Sequence, residues 1–370
     1  MDTADFNFNL PDELIAQDPP AERGASRLLV LHRHTGDIEH TAFARVADFL
    51  HSGDLLVLNN TRVFPARLLG RRLPGGGAVE CLLLRQIPKP NDQIPRDDSR
   101  QVGMWDLGSG VSEWDALMHP GQKLKPGSQV IFEGDGVRLH GEVVAMHFHG
   151  RRTIRLWTDE GVGVADAIER IGHVPLPPYI KRRDRPSDRV RYQTVYARER
   201  GSIAAPTAGL HFTGDILTAL AARGVERTEI TLHVGYGTFK PIRAASIEEH
   251  VVDPETFMVA DTAADAITRA RRAGRRVVAV GTTTVRVLES LAIAGDGRVE
   301  PVTGETTLFI RPGHEFRIVN ALITNFHLPQ SSLLVLVAAF AGRERILDSY
   351  RDAVARGYRF YSYGDAMLIL

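Results

Sequence analysis

Val277-Val-Ala-Val-Gly-Thr-Thr-Thr-Val-Arg286 runs four apolar, β-favouring residues into a glycine and then into three threonines. An unbroken apolar run has no solvent face and reads as a strand buried on both sides. Gly281 ends the strand, and a helix is expected over residues 284–292. The same alternation continues outward, with a helix over 213–223, a strand over 226–233, a helix near 261–273 and the strand at 276–280. A strand over 306–310 and helices over 332–341 and 343–355 follow. The first sixty residues read alike, with strands at 28–31 and 55–58. Alternation of this kind predicts an α/β layered fold.

Between these halves the pattern changes. Short β-rich runs at 79–85, 102–107, 129–133, 138–147 and 152–158 are separated by Gly, Pro and Asn/Asp turns, a spacing suited to a small barrel. The expected architecture is a discontinuous α/β layered domain, residues 1–65 and 160–370, carrying an inserted small β-barrel domain over 66–159. Residues 87–98 are polar and proline-rich, and read as a mobile hairpin loop or local insertion.

Composition narrows the function classes. The chain has 370 residues, 43% hydrophobic and 24% charged, enough for two cores. The acidic start lacks a signal peptide's pattern and the longest apolar run, 333–341, is about half a membrane span, so a cytoplasmic protein without a membrane is expected. The single cysteine, Cys81, excludes an internal disulfide and multi-cysteine metal sites, and reads as core packing. Walker, dinucleotide, nucleophile-elbow and zincin motifs are all missing. A metal held by His211, His233, His250 and His327 is disfavoured, because none of the four has helical ligand spacing. Lys+Arg and Asp+Glu balance at 45 each, but positive charge bunches at 62–72, at Lys181, Arg182, Arg183, Arg185, Arg189 and Arg191, and at 269–276. The last group fits the outer side of a helix end. The middle one lies in a loop where charge has no evident folding reason to gather.

Four turns look ligand-binding. Tyr192-Gln-Thr-Val-Tyr196 precedes Ala204-Ala-Pro-Thr-Ala-Gly-Leu-His-Phe212, which brings Thr207 and His211 together on a rigid bend. The threonines after Gly281 place hydroxyls and backbone N–H groups at a helix start, suited to a carboxylate or phosphate or else to capping. Leu232-His-Val-Gly-Tyr-Gly-Thr-Phe239 is a glycine-rich loop after a strand. Ile323-Thr-Asn-Phe-His-Leu-Pro-Gln-Ser-Ser332 carries Asn325 and His327, with its serines placed as caps.

These turns, with Leu10-Pro-Asp-Glu-Leu-Ile-Ala-Gln17, Leu58-Asn-Asn-Thr-Arg-Val63, Pro175-Leu-Pro-Pro-Tyr-Ile180 and Tyr358-Arg-Phe-Tyr-Ser-Tyr-Gly-Asp-Ala-Met367, closely resemble the S-adenosylmethionine:tRNA ribosyltransferase-isomerase family of queuosine biosynthesis. The resemblance covers nearly the whole chain, loosely in the barrel and not at residues 87–100. It implies transfer and isomerisation of the ribosyl portion of S-adenosylmethionine onto 7-aminomethyl-7-deazaguanine at the tRNA wobble position. Epoxyqueuosine forms and adenine and methionine leave, with no metal or second cofactor. A monomer is expected. Alternatives of other classes are an S-adenosylmethionine-dependent RNA methyltransferase and a non-catalytic RNA-binding protein. The first lacks its glycine-rich turn after residues 28–34, and the second the clustered barrel aromatics that stack bases.

Under this resemblance His211, His233 and His327 are the candidate bases. Thr282, Thr283 and Thr284 would meet the methionine carboxylate, and Arg286 would pair with it or with an internal acid. Thr207 and Asn325 would hydrogen-bond ribose or adenine. Glu305 and Asp365 would read the deazaguanine, Asp365 being equally a turn residue, and Lys181, Arg182, Arg183 and Arg189 would track phosphates. One departure stands out: many members read His-x-Met-His-Ser-Glu where this chain has His250-Val-Val-Asp-Pro-Glu255. A segment tolerating Asp253 in place of histidine is expected to orient substrate or a loop, with His250 and Glu255 keeping whatever role persists.

Overall fold

The computed structural model describes residues 1–88, 110–159, 161–239 and 241–370. Its organising element is a nine-stranded sheet in the order Val302–Thr306, Glu255–Val259, Glu226–Leu232, Leu55–Asn59, Val277–Val280, Ala321–Asn325, Ala366–Ile369, Arg27–Leu31 and Ile38–Ala42. The four strands Glu226–Leu232, Leu55–Asn59, Val277–Val280 and Ala321–Asn325 run parallel, so their carboxyl ends emerge along one edge. Every residue of Val277–Val280 is buried, as its apolar run requires.

Alternate side chains of the central strands feed two cores. Leu55, Val57, Val277 and Ala279 pack with residues of the helices Asp261–Arg272, Thr282–Ser290, Ser332–Ala341 and Arg343–Ala355. Leu56, Leu58, Val278 and Val280 face Phe43, Val46, Ile216 and Leu220 on the other side. This is the period of two of a strand translated into two layers. The α/β layered fold is thus present, with helices on both faces. Thr213 caps the helix Gly214–Ala222 by accepting from the Ile216 N–H at 3.2 Å. Ser331 does the same for Leu334 at 3.2 Å, whereas Ser332 lies inside its helix and is not the cap.

The chain leaves this layered region after Thr61–Val63 and builds a closed six-stranded antiparallel barrel from Arg67–Leu73, Ala78–Ile87, Val111–His119, Gln129–Gly134, Val137–Met146 and Arg151–Thr158. It returns at His173, which exchanges backbone hydrogen bonds with Arg67 at 2.8 and 3.2 Å. Cys81 is fully buried in the barrel core, and burial pushes its thiol pKa up. Among the described residues no helix is long and apolar enough to cross a membrane.

Sequence and structure differ in several strands. The strand expected at 306–310 is Val302–Thr306 instead, because Arg286 donates to the Leu308 carbonyl at 2.9 Å and draws that segment away from the sheet. Strands Ile38–Ala42, Thr61–Val63, Arg67–Leu73, Val111–His119, Glu199–Ser202, Glu255–Val259, Ala321–Asn325 and Ala366–Ile369 go beyond the expected set. The expected strand at 102–107 and nearly all of the expected loop at 87–98 lie outside the described residues.

Candidate active site

Ligands of open α/β sheets gather at the carboxyl ends of parallel strands, where helix N-termini and loops converge. Here that edge carries a cleft. Its floor is Gly281, Thr282 and Thr283 after one strand and Thr324, Asn325 and His327 from the neighbouring one; its walls include Pro206, Thr207, Tyr179 and Tyr361. Gly281 takes φ of +89°, a left-handed value that turns the strand into the helix. A second lobe shares Thr238 and Leu333 with the first, and is lined by His250, Asp253, Glu255 and Arg286.

The helix-start threonines divide by role. Thr284 is spent inside the helix, donating to the Val280 carbonyl at 2.7 Å. None of the three caps the helix, since Gly281 occupies the cap position and has no side chain. Thr283 is buried, and among the described residues its Oγ1 has no hydrogen-bond partner. An unsatisfied buried hydroxyl costs free energy unless something fills the cleft to meet it.

Asn325 is similarly incomplete. Its Nδ2 donates to His211 Nε2 at 3.0 Å and to the Tyr361 carbonyl at 3.1 Å, while Oδ1 has no partner among the described residues. Tyr361 itself sits at φ of +72°, a strained backbone for an aromatic residue. Its ring centroid lies 3.8 Å from that of Tyr179, whose hydroxyl bonds Ser362.

The histidines separate on inspection. His211 lies behind Asn325 rather than on the cleft surface, with Nδ1 2.6 Å from Ser26 Oγ. Burial first, then the Arg359 and Arg23 charges, lower its pKa to about 4 against a raising contribution from Asp365. His327 lines the cleft, with Nε2 2.8 Å from Thr324 Oγ1, and burial lowers its pKa to about 3. His233 is turned away from the cleft, Nδ1 2.8 Å from Thr61 Oγ1 and its ring packed on Gly201. Of three expected bases, one touches the cleft.

Arg286 pairs with an internal acid: it bonds Glu255 Oε2, and both are buried. Glu255 Oε1 accepts from the Gly235 N–H at 2.9 Å and the Thr238 hydroxyl at 3.1 Å, tying the glycine-rich loop to the second lobe. Asp253 packs against Gly237 in the same loop, where a Cβ would meet its Oδ2 at 2.7 Å.

Other expected contacts are elsewhere. Asp365 is buried and committed to the turn, accepting from the Arg27 and Arg359 backbone N–H groups at 2.8 Å and from the Arg27 guanidinium. Glu305 is exposed on the edge strand, 3.7 Å from Arg85 of the barrel, outside both lobes. In the basic loop Arg182 does have a folding reason: it grips the buried Asp188 with two bonds of 2.7 and 2.9 Å. Arg189 donates to the Glu169 and Gly172 carbonyls at 2.9 and 2.5 Å. Arg183 is exposed, and Lys181, 75% exposed, stands 3.5 Å from Asp12. Ser26, Tyr179, Tyr361 and Ser362 went unselected from sequence, although Tyr179, Tyr361 and Ser362 lie in segments that carried the family resemblance.

Comparison with known proteins shows the family of the chain. Residues 3–369 match the family model described as queuosine biosynthesis protein. An S-adenosylmethionine:tRNA ribosyltransferase-isomerase of Nitratidesulfovibrio vulgaris is 51% identical over 367 residues, covering 98% of this chain and 96% of its own. Its counterpart in Desulfitobacterium hafniense is 46% identical over 370 residues, with both chains fully covered. The crystal structure of S-adenosylmethionine tRNA ribosyltransferase from Thermotoga maritima aligns over 99% of this chain and 100% of that one, at 37% identity and a TM-score of 0.53.

Proposed function

The chain belongs to the S-adenosylmethionine:tRNA ribosyltransferase-isomerase family of queuosine biosynthesis, and we propose from this membership and the cleft that it performs that reaction on tRNA. It is a transferase-isomerase: the ribosyl portion of S-adenosylmethionine moves to 7-aminomethyl-7-deazaguanine at the wobble position, adenine and methionine leave, and epoxyqueuosine remains. The sulfonium acidifies the adjacent 5′-carbon, so a base takes a proton there. Loss of adenine, attack by the amine and expulsion of methionine follow. The structural observation that carries the reading is the pair of lobes meeting at Thr238 and Leu333, which gives two reactants adjoining places. Positioning and preorganised dipoles are then the main catalytic levers.

The finer roles belong to the same proposal. The first lobe takes S-adenosylmethionine against Thr207, Thr282, Thr283 and Asn325; the second takes the aminomethyl base. His327 is the one of the three histidines that lines the first lobe, which supports giving it the contact with a reactant, and burial keeps it unprotonated at neutral pH. The Glu255–Arg286 pair and Asp253 hold the glycine-rich loop between the lobes. Lys181 and Arg183 are the members of the basic loop left to meet phosphates, and the enzyme is a cytoplasmic monomer. The methyltransferase and non-catalytic readings have no observation in their favour. The test uses S-adenosylmethionine dideuterated at the 5′-carbon. The wobble nucleoside should gain a ribosyl unit that has lost deuterium to solvent; gain of a methyl group, or full retention of deuterium, refutes the reaction as written.

A further inference from the structure

Three buried side chains from three distant parts of the chain form a line that ends in the cleft. Ser26 is 1% exposed, His211 5% and Asn325 2%. The tautomers along the line are fixed by its far end. The Tyr361 carbonyl can only accept, so the atom 3.1 Å from it must be the Asn325 nitrogen; a flipped amide would set oxygen against oxygen. The same nitrogen faces His211 Nε2 at 3.0 Å, which makes Nε2 the acceptor and places the ring proton on Nδ1, donated to Ser26 Oγ at 2.6 Å. With its nitrogen turned to these two partners, Asn325 is left with Oδ1 for the cleft, and among the described residues that atom has no partner.

The second unpartnered atom, Thr283 Oγ1, belongs to the same cleft. The Gly281 N–H donates to the Ile323 carbonyl at 2.8 Å, so the start of the helix Thr282–Ser290 lies beside the end of the Asn325 strand, about one strand spacing of 4.8 Å away. Among the described residues the cleft lining contains no Asp, Glu, Lys or Arg. An isolated charge would be poorly solvated there, whereas a group whose opposite charges lie a few ångströms apart suits fixed neutral dipoles.

Resting on the function proposed above, we infer that the first lobe reads the α-amino acid end of S-adenosylmethionine. Its carboxylate meets the helix N–H groups and Thr283 Oγ1, its ammonium group donates to Asn325 Oδ1, and Ser26 and His211 act as positioning residues that hold the amide in that orientation. His211 is thereby a structural partner of the ligand site and not a proton carrier. The lock also gives specificity: an acceptor that cannot rotate into a donor rejects a ligand lacking the ammonium group.

The test compares two probes by calorimetry, S-adenosylmethionine and 5′-methylthioadenosine, which keeps the nucleoside and lacks the amino acid. Thr283→Val, Asn325→Ala and Ser26→Ala should each weaken S-adenosylmethionine about tenfold or more and leave 5′-methylthioadenosine within about twofold. Equal weakening of both probes would place the nucleoside at these atoms and overturn the assignment. In the unaltered protein, ¹⁵N NMR of labelled histidine, assigned with His211→Gln, should show His211 protonated at Nδ1; protonation at Nε2 overturns the lock without any dependence on variant folding. Wild-type protein that fails to bind S-adenosylmethionine at all would instead sink the proposed function itself.

Discussion

Acidification provides a quantitative check on the two buried histidines. His211 and His327 have pKa values lowered by burial to about 4 and about 3, against an ordinary value of 6.5. Both are therefore neutral in the folded protein at pH 5, while in the unfolded chain both are almost fully protonated. The unfolded state binds more protons, so stability is complete above about pH 6.5 and falls as the pH drops from there toward the folded values. Integrating between pH 8 and 5 gives about 2 kcal/mol for each histidine, about 4 kcal/mol together. Carboxylates held low, such as Glu226 beside Arg275, lose their contribution mainly below that window. Urea unfolding at pH 8 and 5 measures the difference, and His211→Gln and His327→Gln should each reduce it by about half. An identical pH dependence in wild type and both variants would refute the burial of neutral imidazoles.

Two further predictions concern neighbouring segments. Arg182→Ala strips the partner from Asp188, which is 1% exposed, and should destabilise the protein by about 3 kcal/mol in thermal or urea unfolding. Arg183→Ala should leave stability alone and reduce the salt dependence of tRNA binding by about 0.7–0.9 log units per lost phosphate contact; a reversal of these two behaviours would mean that the roles are assigned the wrong way round. At Gly209 an added Cβ would sit 2.1 Å from the Tyr196 hydroxyl and 2.8 Å from Thr194 Cγ2. Gly209→Ala should therefore cost roughly 2 kcal/mol or more by overpacking, with partial recovery in the double variant with Tyr196→Phe, and an unchanged melting temperature would contradict the contact.

The layered fold was legible where periodicity was strong. The run Val277–Val280 and the helices Ser332–Ala341 and Arg343–Ala355 are written in apolar spacing and end at glycine or serine, so they were placed within a residue or two. Strands whose inward positions include small or polar residues were not. In Val111–His119 the inward side chains are Ser112, Trp114, Ala116 and Met118, and Ser112 is tolerated only because Trp114 Nε1 donates to it at 2.9 Å. In Arg67–Leu73 the basic residues masked a barrel strand as a charge cluster. The site was legible at its turns, since Gly281, Thr283, Asn325 and His327 share one cleft although 44 positions separate Gly281 from Asn325 in sequence. Its depth was not. Whether a histidine touches ligand or stands one layer behind is a tertiary fact, and Ser26, in an unremarkable segment, gains meaning only from His211. Arg182 and Asp365 misled for a related reason, because a charged residue in a loop reads as solvated until its buried partner is seen.

The central claim is that S-adenosylmethionine gives up its ribosyl portion and keeps its methyl group on departing methionine. The most direct measurement is chromatographic analysis of the small molecules released when the protein is incubated with S-adenosylmethionine and tRNA carrying the aminomethyl deazaguanine. Adenine and methionine in equal amounts, matched to modified wobble nucleoside and absent without tRNA, are the result expected; accumulation of S-adenosylhomocysteine in their place would contradict the account.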